Sequence, residues 1–287
     1  MALLQISAYA KINLYLAVGG VRRDGFHDVK TVMRRTSVCD ELTVETAEGG
    51  AGRIALTVLG CEDLPTGADN LAYRAAECYL RKAGVRDSIN ITLKKNIPIG
   101  AGLGGGSADA AAVLRALDRI YGIASGDELW EMAASLGSDV PFCLYGRTAL
   151  CEGRGEILTV VNDEREMHLV IAMKDRTVST PDAFSRLDEA RRKNGEAPSE
   201  EKLTSLLRFL SGEGEMPTEL YNSFENALGE IEDDVHCLKR KMKEHGACLA
   251  LMSGSGPSVF GIFPDADSAE RCVTALCAEG VRAYYSK

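Results

Sequence analysis

Hydrophobic and polar residues alternate along the first sixty residues in the way that is typical of β-strands. Further along, Leu71, Ala75 and Tyr79 are spaced as on one face of a helix, and Gly84 follows them. The pattern therefore predicts antiparallel β-structure first, and then a strand, a glycine loop and a helix. The predicted strands are 5–18, 40–46, 53–59 and 88–94, and the predicted helices are 70–82, 108–121 and 127–136.

The second half of the chain also contains both strand-like alternation and helical spacing of its apolar residues. Its predicted strands are 168–173, 248–252 and 258–263, and its predicted helices are 181–192, 220–228, 233–245 and 267–279. The charged stretch 188–202 is poorly periodic, which indicates a solvated loop or helix surface rather than a binding patch. We expect an α+β protein with antiparallel sheets and helices, divided into an N-terminal domain of residues 1–155 and a C-terminal domain of residues 156–287.

Composition narrows the class of protein. The chain has 287 residues, enough for two domains or one large one, and 33 basic against 42 acidic side chains give a net charge of -9. This charge disfavours nucleic acid and anionic membranes as partners. The 9 cysteines form no C-x-x-C pair, which argues against disulfides and zinc and fits a reducing cytosol. No apolar run reaches the ~18 residues of a membrane span, and no signal peptide is recognisable. We expect a cytoplasmic protein.

The segment 100–107 is rich in glycine and immediately precedes a predicted helix. A backbone without Cβ atoms can turn successive N–H groups toward one anion, and the positive end of the helix dipole lies behind them. A Walker A loop would need lysine where Gly106 stands. A dinucleotide fingerprint would need an acidic residue on a second strand, whereas Asp118 still lies in the predicted helix. Phosphate binding is the favoured interpretation, and a packing loop is the alternative.

Three further features carry candidate chemistry. Lys11 and Asn13 lie on the same face of a strand and can address one ligand, unless the strand is an edge with a polar outer face. Asp139 follows a predicted helix and is either a functional acid or an ordinary turn residue. The second glycine turn, 253–258, lies between two apolar runs and by itself favours a β-hairpin.

Taken together, the segments 10–14, 98–107 and 253–258, in this order, resemble the three motifs of the GHMP small-molecule kinase superfamily. Segments 23–27 and 180–184 resemble those of members whose acceptor contains cytidine. The resemblance covers nearly the whole chain. It implies a two-domain kinase with its active site in the cleft between the domains. It also implies transfer of the γ-phosphate of ATP to the 2-hydroxyl of a cytidine diphosphate-linked methylerythritol, in non-mevalonate isoprenoid precursor synthesis.

The same resemblance implies roles for individual residues. Asp139 is expected to be the catalytic base and Lys11 its charged partner, because phosphoryl transfer needs a positioned hydroxyl, a proton acceptor and neutralised charge. Ser107 is the one residue suggested to contact Mg²⁺. The residues expected to bind ATP are Pro98, Gly100, Gly102, Gly104, Gly105, Gly106, Ser107, Asn70 and Lys95. Lys95 has the alternative of a simple exposed strand lysine.

On the acceptor side, the resemblance implies that Phe26 and Phe184 enclose the cytosine ring and that His27 hydrogen-bonds its edge. Asn13 is expected at the erythritol or phosphate end, and Thr180 in the same pocket. Relatives usually have tyrosine where Phe26 stands, so the ring is kept and a phenol hydrogen bond is lost. His27 has the alternative of a surface-loop imidazole.

Three other functions remain open from the sequence. They are a GHMP kinase for mevalonate, homoserine or a sugar, a non-catalytic binding protein of the same fold, and a nicotinamide-dependent oxidoreductase. The expected partners are a small-molecule substrate and, at most, a second copy of the chain in a homodimer.

Overall fold

The first two strands of the chain, β1 (Ala2–Val21) and β2 (His27–Ala47), are long and neighbour one another. The computed structural model describes residues 1–194 and 200–287. These residues form two compact units, one of residues 1–11, 38–98 and 104–146 and one of residues 12–37, 99–103 and 147–287. Both long strands contribute to both units. The units therefore interleave along the chain, and the single boundary at 155 drawn from the sequence stays a prediction.

The first unit contains the strands β3 (Ile54–Leu59) and β4 (Ser88–Lys94). β4 pairs antiparallel with β2, from Glu41 opposite Lys94 to Ala47 opposite Ser88, and parallel with β3. Its apolar side chains alternate with exposed polar ones, as the period of a strand with one buried face requires. The strand predicted at 88–94 is therefore confirmed.

Four helices complete this unit: α1 (Leu71–Ala83), α2 (Gly105–Tyr121), α3 (Gly126–Leu136) and α4 (Val140–Tyr145). The Asn70 side chain accepts a hydrogen bond from the Ala72 N–H and so caps α1. α2 packs on α1, and its run of small alanines is buried. α2 begins at Gly105, three residues before the predicted start, so the end of the glycine loop is its first turn.

The second unit is built on a four-stranded sheet in the order β11-β7-β10-β9, with every pair antiparallel. Its strands are β7 (His168–Met173), β9 (Leu249–Met252), β10 (Val259–Phe263) and β11 (Arg282–Ser286). The helices of the unit are α5 (Thr180–Asn194), α6 (Glu200–Leu210), α7 (Glu232–Glu244) and α8 (Ala266–Ala278). A buried cluster that includes Val170, Leu238 and Leu276 forms the core.

Three short strands lie beside the long ones. β5 (Ala149–Glu152) pairs antiparallel with β2 and with β6 (Ile157–Val160), and β8 (Tyr221–Asn222) pairs parallel with β1. The helix predicted at 220–228 is wrong, because this segment forms β8 and a 3₁₀ turn, Ser223–Asn226. No helix of the described ranges 1–194 and 200–287 is long and apolar enough to cross a membrane.

Two other expectations need correction. The second strand begins at His27 rather than at residue 40, so His27 lies in a strand and not in a surface loop. The charged stretch 188–202 is helical where it is described, in α5 and at the start of α6, and its residues 195–199 lie outside the described residues. The fold class itself, two-domain α+β, is confirmed, and the sheets are partly antiparallel, since β3 and β8 pair parallel with their neighbours.

Candidate active site

In the first unit, a buried lysine lies beside a partly exposed aspartate. The Nζ atom of Lys11 lies 3.5 Å from Oδ2 of Asp139, and their side chains are 6% and 30% exposed. Asp139 precedes α4 directly, yet its side chain makes no capping hydrogen bond to that helix. The carboxylate is therefore accessible to a ligand while an ammonium group stabilises its charge. The structure thus brings the two predicted catalytic residues together.

Cys143 lies on α4, one turn after Asp139. Burial raises the pKa of its thiol far above the ordinary value, and the charge of Asp139 raises it further. A thiol of this kind is neutral at physiological pH and is not a nucleophile.

The glycine loop reaches α2 beside Lys11. Gly104 precedes the helix with φ +68°, and a Cβ atom there would lie 3.0 Å from Cγ of Lys11. Only glycine accepts both this backbone conformation and this close approach. Gly105, Gly106 and Ser107 form the first turn of α2, where backbone N–H groups and the helix dipole favour an anion. No side chain caps this end of the helix.

Lys95, next to the same turn, is not an exposed strand lysine. Its side chain is 5% exposed, and its Nζ lies 2.5 Å from Oδ2 of Asp40 and 2.8 Å from Oδ2 of Asp109. Burial opposes the charge on Lys95, but the two carboxylates outweigh it and raise its pKa. Burial also raises the pKa of Asp109, against the pull of Lys95.

Asn70 and Pro98 complete the predicted ATP residues of this unit, and both are buried. The side-chain amide of Asn70 donates to the Pro65 carbonyl and its oxygen accepts from the Ala72 N–H. The structure therefore gives Asn70 a helix-capping role, and its contact with the adenine of ATP stays a prediction.

In the second unit, the first half of the glycine loop packs on the second glycine turn. The Ser253 hydroxyl donates to the Gly102 carbonyl at 3.2 Å, and the Ser258 hydroxyl donates to the Ala101 carbonyl at 2.6 Å. Gly102 has φ +74°, and a Cβ atom there would lie 2.2 Å from the Ser253 carbonyl oxygen. Gly100, also at positive φ, accepts a hydrogen bond from the Val178 N–H. The turn at 253–258 is both the predicted hairpin, joining β9 and β10, and a support for the loop.

The same unit brings together two of the predicted acceptor residues. The His27 and Phe184 rings stack with centroids 4.7 Å apart and planes 24° apart. Phe184 in turn meets Phe224 edge to face at 4.9 Å. The Nε2 of His27 lies 2.9 Å from Oδ1 of Asp188, one turn after Phe184 on α5. These rings form a fixed aromatic surface, and Asp188 holds the imidazole of His27 at its Nε2 atom.

Phe26 is 51% exposed, and the Arg154 guanidinium lies 5.0 Å from the centre of its ring. A large exposed aromatic ring beside a half-buried histidine is suited to stacking on a flat ligand. The ring of Phe26 is thus accessible to a ligand, and its contact with cytosine stays a prediction.

Asn13 and Thr180 lie in the second unit as well. The Asn13 amide donates to the Thr31 hydroxyl at 2.9 Å, and the Asn13 N–H donates to the Ser253 hydroxyl at 3.3 Å. Thr180 opens α5, and its hydroxyl lies 3.4 Å from that of Ser255. Lys11 and Asn13 are both buried, so neither lies on an exposed edge strand.

Four residues around these sites were not predicted from the sequence: Asp188, Arg154, Asp40 and Asp109. Asp188 could have been predicted, since it follows Phe184 at the spacing of one helical turn. It was instead interpreted as part of the charged stretch 188–202. Asp40 and Asp109 bind Lys95, and Arg154 lies over Phe26. These partners are distant along the chain or lie across a turn, so no local sequence pattern indicates the contacts.

Comparison with known proteins gives the class. The model of the GHMP kinases N terminal domain matches residues 70–147, and that of the GHMP kinases C terminal domain matches residues 207–282. The chain belongs to the GHMP kinases, a class of small-molecule kinases that use ATP. The resemblance seen in the three motifs is therefore confirmed.

Its curated relatives narrow the class to one activity. The chain is 37% identical over 277 residues to the 4-diphosphocytidyl-2-C-methyl-D-erythritol kinase of Geobacter metallireducens, covering 96% of this chain and 95% of the relative. It is 42% identical over 267 residues to the enzyme of that name from Pelotomaculum thermopropionicum, covering 92% and 90%.

Solved structures agree. A crystal structure of 4-(cytidine 5'-diphospho)-2C-methyl-D-erythritol kinase superposes with a TM-score of 0.83 at 36% identity, covering 99% of this chain and 98% of the other. Homoserine kinase from Cytophaga hutchinsonii, at 20% identity and a TM-score of 0.70 over 99% of this chain and 94% of its own, shares the fold.

Proposed function

We propose that this GHMP kinase transfers the γ-phosphate of ATP to the 2-hydroxyl of 4-diphosphocytidyl-2-C-methyl-D-erythritol, a step of non-mevalonate isoprenoid precursor synthesis. The observation that carries the chemistry is the Lys11–Asp139 pair at 3.5 Å beside the glycine-flanked first turn of α2. The identity of the acceptor is supported by curated relatives that match nearly the whole chain.

Asp139 accepts the proton of the attacking hydroxyl. Its carboxylate is partly exposed, is not used to cap α4, and lies next to a buried ammonium group that stabilises negative charge. Because the transition state of phosphoryl transfer is loose, the remaining work is positioning and charge neutralisation. Backbone N–H groups at Gly104 to Ser107 provide both for the phosphates.

The residues of this site also fit a magnesium ion that arrives with ATP. No group of three or more His, Cys, Asp or Glu within the described chain could hold a metal. Magnesium usually takes most of its ligands from phosphates and water, so one protein oxygen is enough, and Ser107 would supply it from the first turn of α2. When bound, the ion would neutralise charge on the phosphates.

The cytidine part of the acceptor would lie on the aromatic residues of the second unit. Phe184 and Phe26 offer ring faces, and His27 offers the nitrogen that is not held by Asp188. Asn13 and Thr180 would bind the erythritol and phosphate groups. For ATP, Asn70 and Lys95 stay near the adenine in this proposal, although both side chains are engaged inside the protein.

The net charge of -9 supports an enzyme of small molecules without nucleic-acid or membrane partners. We also propose a cytoplasmic location and a monomeric or homodimeric state.

Mass spectrometry of the acceptor after incubation with the protein and MgATP tests the proposal. We expect one added phosphate, which is absent when ATP or protein is omitted. Phosphate added to homoserine or mevalonate but not to the cytidyl acceptor would replace the proposed substrate while keeping the class. No phosphate on any of these alcohols would contradict the proposal.

A further inference from the structure

Lys95 lies where the chain leaves β4 and starts toward the glycine loop, and two buried carboxylates bind its ammonium group. Nζ lies 2.5 Å from Oδ2 of Asp40, on β2, and 2.8 Å from Oδ2 of Asp109, on α2. Both aspartates are almost completely buried. We call Asp40, Lys95 and Asp109 the Lys95 network. All three residues belong to the first unit.

The network fixes the backbone just before the loop. The second oxygen of Asp40, Oδ1, accepts hydrogen bonds from the N–H groups of Asn96 at 2.5 Å and Ile97 at 2.8 Å. Charge-assisted bonds from one carboxylate to two consecutive amides set the direction of the chain at this point. The residue that follows them is Pro98, where the predicted nucleotide-binding motif 98–107 begins.

The network also reaches the other end of the loop. Asp109 lies on α2, shortly after Ser107. A Cβ atom at Gly105 would lie 3.0 Å from Cγ2 of Ile97 and 3.4 Å from Nζ of Lys95. The first residue of α2 therefore rests against the residues that precede the loop. Lys95 joins the two ends, from Asp40 and Ile97 on one side to Gly105 and Asp109 on the other.

The charges of the network argue against a direct role of Lys95 in attracting phosphate. One ammonium group faces two carboxylates, so within the network its positive charge is already balanced. Burying three charged groups contributes little stability compared with apolar residues of similar size, but such groups fix one arrangement where their geometry is good. A glycine-rich segment, by contrast, loses much backbone entropy when it is ordered.

We propose that the Lys95 network is a positioning device for the nucleotide site. It holds both ends of the glycine loop in the arrangement that receives the phosphates, so that part of the ordering is complete before ATP binds. Lys95 and Asp109 are positioning residues, because their charged groups bind within the network and not to the phosphates of ATP. The inference rests on the proposed function in one respect, namely that this loop holds the phosphates of ATP.

Variants of Asp109 test the proposal on the full-length protein. Asp109→Asn keeps an oxygen that can accept from Lys95, whereas Asp109→Ala removes the contact. We expect the dissociation constant for ADP, measured by calorimetry, to rise about tenfold in Asp109→Ala and by a smaller factor in Asp109→Asn. The dissociation constant for the cytidyl acceptor should not change.

Hydrogen exchange of the backbone amides of 98–107, measured without nucleotide, separates positioning from a general loss of stability. These amides should exchange faster in Asp109→Ala than in the wild type. The matched control is Asp163→Ala, which removes the largely buried Arg34–Asp163 pair of the second unit. This control should lower stability without altering loop exchange or ADP binding.

A folded Asp109→Ala variant with the ADP affinity and loop exchange of the wild type would overturn the proposal. If that variant does not fold, Asp109→Asn decides by the same two readouts. The outcome is distinct from a failure of the proposed function. A wild-type protein that binds ADP but adds no phosphate to the cytidyl acceptor would refute the substrate and leave the role of the network intact.

Discussion

The imidazole of His27 donates a hydrogen bond from Nε2 to Oδ1 of Asp188 over 2.9 Å. A carboxylate only accepts, so this contact places a proton on Nε2, and we predict that Nδ1 acts as a hydrogen-bond acceptor. The two residues are 161 positions apart in the chain, and stacking on Phe184 fixes the plane of the ring. An acceptor nitrogen held in this way is suited to the amino group of cytosine and not to the carbonyl of uracil.

Replacing Asp188 tests this relationship. In Asp188→Ala the ring loses its fixed tautomer, and we expect KM for the cytidyl acceptor to rise about tenfold while KM for ATP is unchanged. The ¹⁵N shifts of His27 should report the Nε2–H tautomer in the wild type and a mixture in the variant. Asp267→Asn, at an exposed position of the first turn of α8, is the control and should leave both KM values unchanged. An unchanged acceptor KM in Asp188→Ala would remove His27 from base recognition.

Much of the fold was predictable because local chemistry specifies it. The alternation of Ile89, Ile91 and Leu93 predicted β4, and the glycines at 84 and 122 mark the ends of α1 and α2, where both adopt the left-handed conformation. The Lys11–Asp139 pair was predictable only through the resemblance, since each residue alone fits an ordinary strand or turn.

The remaining features depend on contacts that sequence periodicity does not contain. The segment predicted as a helix at 220–228 is instead held by the Asn222 amide, which donates to the carbonyls of Met252 and Gly254. The length of β2 and the short β5 follow from pairing between distant segments, from Thr31 opposite Cys151 to Met33 opposite Ala149. Tertiary pairing of this kind overrides local preference.

Gly102 should be intolerant of any side chain. In Gly102→Ala the new Cβ atom would meet the Ser253 carbonyl oxygen at 2.2 Å, in addition to the strain of φ +74°. We expect a loss of about 3 kcal/mol in the free energy of unfolding, measured with urea. The control is Gly84→Ala, where φ is +67° and nothing lies within 4 Å. It carries the strain without the collision and should cost about 1 kcal/mol. Equal losses of unfolding free energy in the two variants would show that the collision with Ser253 does not destabilise the protein.

Tyr15 should make the stability depend on pH in the alkaline range. Burial, assisted by the charges of Glu200 and Tyr221, raises the pKa of Tyr15 from 10.0 to about 12 in the folded protein. The folded state thus holds this proton more tightly than the unfolded state, so the stabilisation is complete below pH 10 and is lost as pH rises toward 12. The difference in unfolding free energy between the wild type and Tyr15→Phe should fall over this interval. A difference that stays constant from pH 9 to pH 11.5 would contradict the shift.

Asp139 should be required for turnover and not for nucleotide binding. Asp139→Asn keeps the size of the side chain next to Lys11 but cannot accept the proton of the acceptor hydroxyl, so we expect kcat to fall by at least ~10²-fold. KM for ATP should change little, because the proposed function assigns the phosphates to backbone groups at the start of α2 and not to this carboxylate. Asp127→Asn, an exposed acid in the first turn of α3, is the matched control and should keep full activity. Steady-state assays with both substrates varied measure the two parameters. Near-normal kcat in a folded Asp139→Asn enzyme would mean that another group takes the proton, and a large rise in KM for ATP would mean that the carboxylate acts on the nucleotide.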